Sequence, residues 1–354
     1  MAIAVRVPDE YSDDQLALIG RDHLAAHVDV HLLDEEEYLD FSYHGLTMGS
    51  NGIQRIATSL SFPYELVFAD ALVPFGFERS AVRILNLKSE ISVRTGDTAC
   101  VYALSRTAPR AVDASGAASI IMDGCVVASN SSAEDAIYVG GSASFEADCL
   151  QSSGGIVATG GLVLDCAAPR ENAWPLPDPF ADLLEPTPPF LRTSPQRNDL
   201  IVYAGRYTNL DLSGTKHLEP GLYYVENDLS IKGEVTGDGV IFYVKDGSVT
   251  VNGDASLSLS APTSGDYAGM LFMSHPFNTS AHLFNGNGVT DLNGYLYFPS
   301  GDLTYAGNNG TTSNCLRIVA DTIEMTGSSI MRSDCTEELG GREAEVSGPL
   351  YYSR

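Results

Sequence analysis

Three strings of similar sequence follow one another in the first half of the chain, and they constrain its fold more than any other feature. They read VDASGAASIIMDGC at 112–125, IYVGGSASFEADC at 137–149 and VATGGLVLDC at 157–166. Ser115-Gly116 corresponds to Gly140-Gly141 after 25 residues, and Gly160-Gly161 follows after 20. Repeats of this length, with small turn residues between short β-rich strings, are typical of β-solenoids. We therefore predict a mainly β protein with a parallel β-helix over 99–345, right-handed because parallel β connections almost always are.

A proline-rich loop interrupts the predicted solenoid at 169–190. Seven prolines fall between Pro169 and Pro189, which excludes a continuous helix or central strand and favours an extended backbone. Because the same strand pattern resumes afterwards, we predict a loop between coils of one solenoid. A boundary between two domains is the alternative.

Four glycines after the loop each precede an apolar string. They are Gly221, Gly239, Gly269 and Gly294. The second and fourth residues after each glycine form one apolar face of a strand stack. The third residues point to the opposite face and are aromatic: Tyr224, Phe242, Phe272 and Tyr297. Strands that are apolar on both faces need cover on both sides, either from the N-terminal domain of this chain or from a neighbouring subunit, so these four residues are a possible interaction face.

The first 98 residues have a different texture, with few glycines and one clear helix signal. Ser12 and Gln15 form a capping box before a segment with helical periodicity, which predicts a helix over 13–27. Segments at 28–33, 53–68 and 82–93 are β-rich. We predict a small α+β domain over 1–98, and interpret residues 346–354 as a C-terminal tail.

The chain is strongly acidic. Its 354 residues include 46 acidic and 20 basic side chains, for a formal net charge of −26. Such a charge repels nucleic acid and anionic membrane surfaces at long range. A salt-adapted surface explains it more simply than a specific acidic binding site.

Six cysteines lack the spacing of zinc ribbons or redox motifs. Pairing of neighbours gives three disulfides: Cys100 with Cys125, Cys149 with Cys166, and Cys315 with Cys335. Six cysteines allow fifteen arrangements, and buried free thiols are the alternative. Disulfides imply an oxidising compartment, so we expect an extracytoplasmic location in the periplasm, at the cell surface or outside the cell. The start, MAIAVRVPDEY, has no export signal, and we expect that signal to have been removed; an intracellular protein is the alternative.

Residues that could carry chemistry are scattered. His23 and His27 have helical metal-site spacing but lack the glutamate of the zinc-protease motif. The coil aspartates flank glycine, serine or asparagine, as turn residues do, and Lys232, Lys245 and Arg317 do not gather around them in sequence. Ser274-His275 stands outside any nucleophile elbow. We predict no catalytic residue, no metal site and no cofactor beyond weakly bound surface calcium, and hence no enzyme.

Four strings carry a family resemblance, in this order: CVYALSRTAPRAVDASGAASIIMDGC, LSLSAPTSGDYAGMLFM, LNGYLYFPSGDLTYAG and CLRIVADTIEMTG. Together they resemble the extracytoplasmic part of TadG-like proteins of bacterial Tad/Flp pilus systems. The resemblance implies an anchoring helix, absent from this chain, followed by a pilin-like helix and sheet that 1–98 would match. It also implies a role in a surface appendage, with other pilus or cell-envelope proteins, or a second copy of the chain, as partners.

We therefore expect a non-enzymatic structural or interaction protein that acts in pilus assembly, adhesion or biofilm formation. The alternative is an extracellular β-helix that binds or cleaves carbohydrate, which would need carboxylates converging on neighbouring coils. Ice binding would need a flat threonine array, and the threonines are too sparse for one.

Overall fold

The computed structural model describes residues 40–48, 53–65, 82–94, 97–286, 290–307, 310–313, 315–327, 330–334, 339, 344–346 and 351–353. The chain divides into two compact units, Met1–Gly96 with Ser347–Arg354, and Asp97–Val346. Within the described residues every element of regular structure is a β-strand, and no helix is long and apolar enough to cross a membrane. The predicted helix over 13–27 and the segment 28–33 lie outside the described residues.

The strands are numbered in chain order. They are β1 (Asp40–Met48), β2 (Ile53–Glu65), β3 (Val82–Arg94), β4 (Asp97–Ala103), β5 (Val112–Ala114), β6 (Ser119–Ser129), β7 (Ile137–Val139), β8 (Ser144–Ser152), β9 (Ile156–Ala158), β10 (Gly161–Leu164), β11 (Ile201–Val202), β12 (Gly205–Tyr207), β13 (Leu210–Leu212), β14 (Thr215–Leu218), β15 (Gly221–Val225), β16 (Leu229–Ile231), β17 (Glu234–Gly237), β18 (Val240–Val244), β19 (Val249–Val251), β20 (Ser256–Ser260), β21 (Met270–Ser274), β22 (His282–Gly286), β23 (Thr290–Gly307), β24 (Gly310–Ser313), β25 (Leu316–Gly327), β26 (Ile330–Asp334), β27 (Glu345–Val346) and β28 (Tyr351–Ser353).

The first unit contains a four-stranded sheet in the order β1-β2-β3-β28, with antiparallel pairing throughout. Tyr351 pairs with Ser92, so part of the segment interpreted as a tail adds an edge strand to this sheet.

The second unit is a parallel β-solenoid of about ten turns. Each turn places one short strand in each of three sheets. The first sheet contains β12, β15, β18, β21, the middle of β23, the start of β25, β4, and the second halves of β6 and β8. The second contains β13, β16, β19, β22, the end of β23, the end of β25, β5, β7 and β9. The third contains β11, β14, β17, β20 and the start of β23, and then β24, β26, β6, β8 and β10. The predicted solenoid is confirmed.

The order of the coils in space differs from their order in the chain. One run, β4 to β10, winds from the middle of the stack to one end. The other run, β11 to β26, starts at the far end and winds back to the middle, where β25 pairs with β4 and β26 with β6. Val319 is paired with Tyr102 across this junction. The two outer ends of the stack are therefore the β10 end (residues 153–172) and the β11 end (residues 190–212).

The proline-rich segment connects these two ends, because Arg170 bridges to Gln151 and Leu191 bridges to Arg206. We call residues 170–191 the strap. The paired positions under it run Arg170, Gln151, Ala128, Tyr102, Val319, Tyr297, Met273, Tyr243, Tyr224, Arg206 and Leu191. Ten steps at about 4.8 Å make about 48 Å. Twenty-one residues reach about 65 Å as polyproline but only about 32 Å as α-helix, so an extended proline-rich strap can span the stack whereas a helix cannot.

Inside the stack, side chains of the same type lie above one another in successive coils. The rings of Tyr223 and Phe242 are 5.3 Å apart and those of Phe242 and Phe272 are 4.8 Å apart, all three fully buried. At one corner, Gly141 and Gly116 have φ values of +69° and +76°. A side chain at Gly141 would meet the Gly116 carbonyl oxygen at 3.1 Å. The repeated small residues are thus required by a corner where successive turns stack backbone on backbone.

Candidate functional site

The disulfides tie neighbouring coils together. Cys100 is bonded to Cys125 and Cys149 to Cys166, with Cα–Cα distances of 5.6 and 5.3 Å. Both pairs confirm the neighbour prediction. Cys315 is disulfide-bonded as well, and Cys335, its predicted partner, lies outside the described residues. Such bridges form and persist in oxidising compartments.

The predicted aromatic ladder is corrected by the strand register. Gly221 pairs with Val240 and not with Gly239, so β15 is offset by one residue and Tyr224 lies beside Tyr243. Phe242 and Phe272 belong to the interior stack. The outward side of the first sheet instead carries Tyr224, Tyr243, Met273 and Tyr297 in successive strands. The sequence interpretation had assumed one common register for the four glycines.

All four predicted face residues are buried within the single chain, with at most 2% of each exposed. Phe242 and Phe272 face the solenoid interior, and Tyr224 and Tyr297 lie beneath the strap. The proline-rich strap therefore covers this sheet. The sequence analysis had expected the cover to come from the N-terminal domain or from a neighbouring subunit.

Hydrogen bonds fasten the strap to more than one coil. The hydroxyl of Tyr102 donates to the Leu176 carbonyl at 2.9 Å, and that of Tyr297 donates to Asp178 at 2.9 Å. Phe180 inserts its ring edge-on between Tyr295 and Tyr297, with centroids 4.8 and 5.2 Å away. Burial raises the pKa of Asp178 above its usual range, against the lowering effect of its hydrogen bonds.

Glu185 of the strap is the centre of the most polar cluster on this sheet. It accepts a 2.6 Å hydrogen bond from Tyr224, and Lys245 and His275 lie 3.3 and 3.7 Å from its carboxylate oxygens. The hydrogen bond from Tyr224, followed by the interaction with Lys245, lowers the pKa of Glu185. The group supplies one carboxylate, whereas glycoside hydrolysis by its usual route uses two. We interpret it as a fastening of the strap.

Ser274 and His275 are not hydrogen-bonded to each other as a nucleophile and its general base would be. His275 accepts a hydrogen bond at Nδ1 from the backbone of Phe277 and directs Nε2 towards Glu185. In the part of the chain that the structure describes, no group of three His, Cys, Asp or Glu side chains could hold a metal ion.

The surface that sequence reasoning missed is the β11 end. Phe190 is 92% exposed and Leu200 is 65% exposed, and Leu191, Ile201 and Tyr203 are each about half exposed. The sequence does not reveal this surface, because these residues lie near the middle of the chain. In space they belong to the outermost coil at one end of the stack. Their apolar character was visible in the sequence, but their location was not.

Buried and charged side chains hold this end in place. Lys216 is fully buried, and its ammonium donates to the carbonyls of Gln196, Arg197 and Asp199 at 2.9, 2.9 and 2.5 Å. Arg192 donates to the Ala204 carbonyl at 2.7 Å. A shallow cavity of about 480 Å³ lies beside it, lined by Leu191, Arg192, Thr193, Ser194, Thr208 and Asn209. The apolar side chains are thus presented on a fixed backbone, as an interaction surface requires.

Comparison with family models, with curated proteins and with solved structures finds no match to this chain.

Proposed function

We propose that this protein is an extracytoplasmic, non-enzymatic structural or interaction protein whose solenoid engages a partner through the β11 end. The observation that supports the proposal is the group of exposed apolar side chains at the β11 end. The strap covers the aromatic side and exposes Trp174 and Leu184 singly, while five apolar side chains between Phe190 and Tyr203 are exposed together at the end. Apolar clusters displayed on a rigid scaffold are typical of protein interaction sites.

The wider biological role in this proposal is that of a TadG-like protein, acting in Tad/Flp pilus assembly, adhesion or biofilm formation. It includes a right-handed coil, a pilin-like domain over 1–98, and partners among pilus or cell-envelope proteins. Attachment to a membrane would run through the anchoring helix that the resemblance implies. The four strings quoted above support this role, and the disulfides support an oxidising location.

Complementation of a gene deletion tests the proposal. Loss of the protein should reduce surface attachment or piliation, and the wild-type gene should restore it. A gene carrying Phe190→Ser and Leu200→Ser should restore less, because it removes the exposed apolar surface. Phe277→Ser is the matched control, since Phe277 is equally exposed on a turn away from the end. Unchanged attachment and pili in the deletion strain would refute the role, and binding or cleavage of a polysaccharide would favour the carbohydrate alternative.

A further inference from the structure

We infer that the β11 end of one molecule binds the β10 end of a second copy, so that solenoids stack head to tail. The inference rests on the proposed function, for which it names the partner of the β11 end. It can also fail separately: a monomeric protein that still restores attachment would refute the stacking alone.

Both ends present strand edges that can accept another coil. At the β11 end, β11 and β13 pair with β14 and β16; at the β10 end, β9 and β10 pair with β7 and β8. The described residues place no further strand on the outer side of these four. An open edge of this kind is a template for pairing with another chain.

The molecule already contains a junction of the required kind. At the middle of the stack, the late coil formed by β25 and β26 pairs in parallel with the early coil formed by β4 and β6, and no short connection joins the two coils. Both runs wind in the same direction along the stack, from the β11 end towards the β10 end. A second copy placed with its β11 end on the β10 end therefore continues this winding and repeats the internal junction in the second and third sheets. In the first sheet, the strap bridges to the outermost strand at both ends.

Charge favours contact between unlike ends. Residues 190–212, the β11 end, contain three arginines and two aspartates, which gives 3 − 2 = +1. Residues 153–172, the β10 end, contain one arginine and two acidic residues, which gives 1 − 2 = −1. The two ends thus carry opposite signs in a chain of net charge −26, which favours contact between unlike ends over contact between two β10 ends.

Apolar side chains complete the match. In a parallel ladder, paired residues stack on the same side of the sheet, as the rings of Tyr224 and Tyr243 do at 5.0 Å. Continuation of the third sheet puts β10 beside β11, and with them Val163, which is 58% exposed, beside Ile201. Because the two surfaces differ, the contact is heterologous, and because successive copies stack along the solenoid axis it does not close into a ring. It therefore produces open filaments and not a symmetric dimer.

Sedimentation velocity over a concentration series, with the full chain, tests the inference. The wild-type protein should grow in mass with concentration without stopping at a dimer. Ile201→Asp blocks the β11 end and Val163→Asp blocks the β10 end. Each variant loses the Val163–Ile201 contact and places a charge at a strand edge, a device that opposes edge pairing, so each should lose at least about tenfold in association constant and remain monomeric alone. Phe277→Asp should assemble like the wild type.

Mixing the two blocked variants is the decisive measurement, because each retains one native end. The mixture should give a 1:1 heterodimer that grows no further, and its formation shows that both variants are folded. Three results would overturn the inference: a wild-type protein that is monomeric at every concentration, a blocked variant that dimerises by itself, or blocked variants that assemble like the wild type.

Discussion

The side chain of Asn130 is hydrogen-bonded to both backbone groups of Leu176. Its Oδ1 atom accepts from the Leu176 amide at 2.7 Å, and its Nδ2 atom donates to the Leu176 carbonyl at 2.8 Å. Nδ2 also donates to the Tyr102 hydroxyl at 2.7 Å, and Asn130 is fully buried. The Asn130 side chain thus satisfies the backbone amide and carbonyl of Leu176, two groups that a neighbouring strand would satisfy in a β-sheet.

Replacement of this asparagine should loosen the start of the strap. Asn130→Ala leaves two buried backbone groups and a hydroxyl without this partner, and we expect a loss of about 3 kcal/mol in the free energy of unfolding. Urea denaturation measures it. Asn198→Ala, at an exposed position, is the matched control and should change stability by less than about 0.5 kcal/mol. Equal stability of the two variants would contradict the role given to Asn130.

Two stacked tyrosines beneath the strap should respond differently to loss of the hydroxyl. The Tyr224 hydroxyl donates to Glu185, whereas that of Tyr243 is buried without a hydrogen-bond partner among the described residues. Tyr224→Phe should therefore cost about 1 to 2 kcal/mol, and Tyr243→Phe should be neutral or stabilising. Thermal unfolding of both variants checks the difference in sign. A larger loss for Tyr243→Phe would show that its hydroxyl has a partner.

The solenoid and two of its disulfides could be predicted because each depends on residues close in sequence. Gly116 and Gly141 mark a corner that recurs in successive coils, and Cys100 and Cys125 are one coil apart. Coil order could not be predicted, since the pairing of Val319 with Tyr102 joins positions far apart in the chain. No local sequence pattern indicates which strand edges pair at the junction between the two runs of coils.

The covered aromatic face and the exposed β11 end could not be predicted for the same reason. The register of Tyr224 depends on a one-residue offset at Gly221, which the spacing of glycines alone did not show. Phe190 and Leu200 become an exposed end only once the strap is known to run the length of the stack.

The disulfide at the β10 end should stabilise the last coil there. Cys149 and Cys166 close a loop of 17 residues, and loop-closure entropy predicts a contribution of about 3 kcal/mol. The double variant Cys149→Ala, Cys166→Ala should lose that amount in denaturant unfolding. A reducing agent should lower the stability of the wild-type protein at least as far. Insensitivity of the wild type to reduction, with free thiols confirmed by labelling, would contradict this prediction.

A buried histidine should make the solenoid sensitive to acid. His282 is fully buried, its ring stacks on Phe298 with centroids 3.9 Å apart, and its Nδ1 atom accepts from the Val249 amide at 3.1 Å. Burial lowers the pKa of His282 to about 4 from an ordinary value of 6.5. The unfolded chain therefore binds a proton between these two values that the folded protein excludes. The contribution of the neutral ring is complete above about pH 6.5 and is lost as the pH falls towards 4, by about 3 kcal/mol.

Stability measured by urea denaturation at pH 7, 5.5 and 4.5 checks this dependence. His282→Asn keeps an acceptor near the position of Nδ1 but does not titrate, so its stability should fall less between pH 7 and 4.5 than that of the wild type. His275→Gln is the matched control, because His275 is partly exposed beside Glu185, and should keep most of the wild-type slope. If His282→Asn and the wild type lose the same free energy of unfolding over this range, other groups cause the acid sensitivity and the assignment to His282 is wrong.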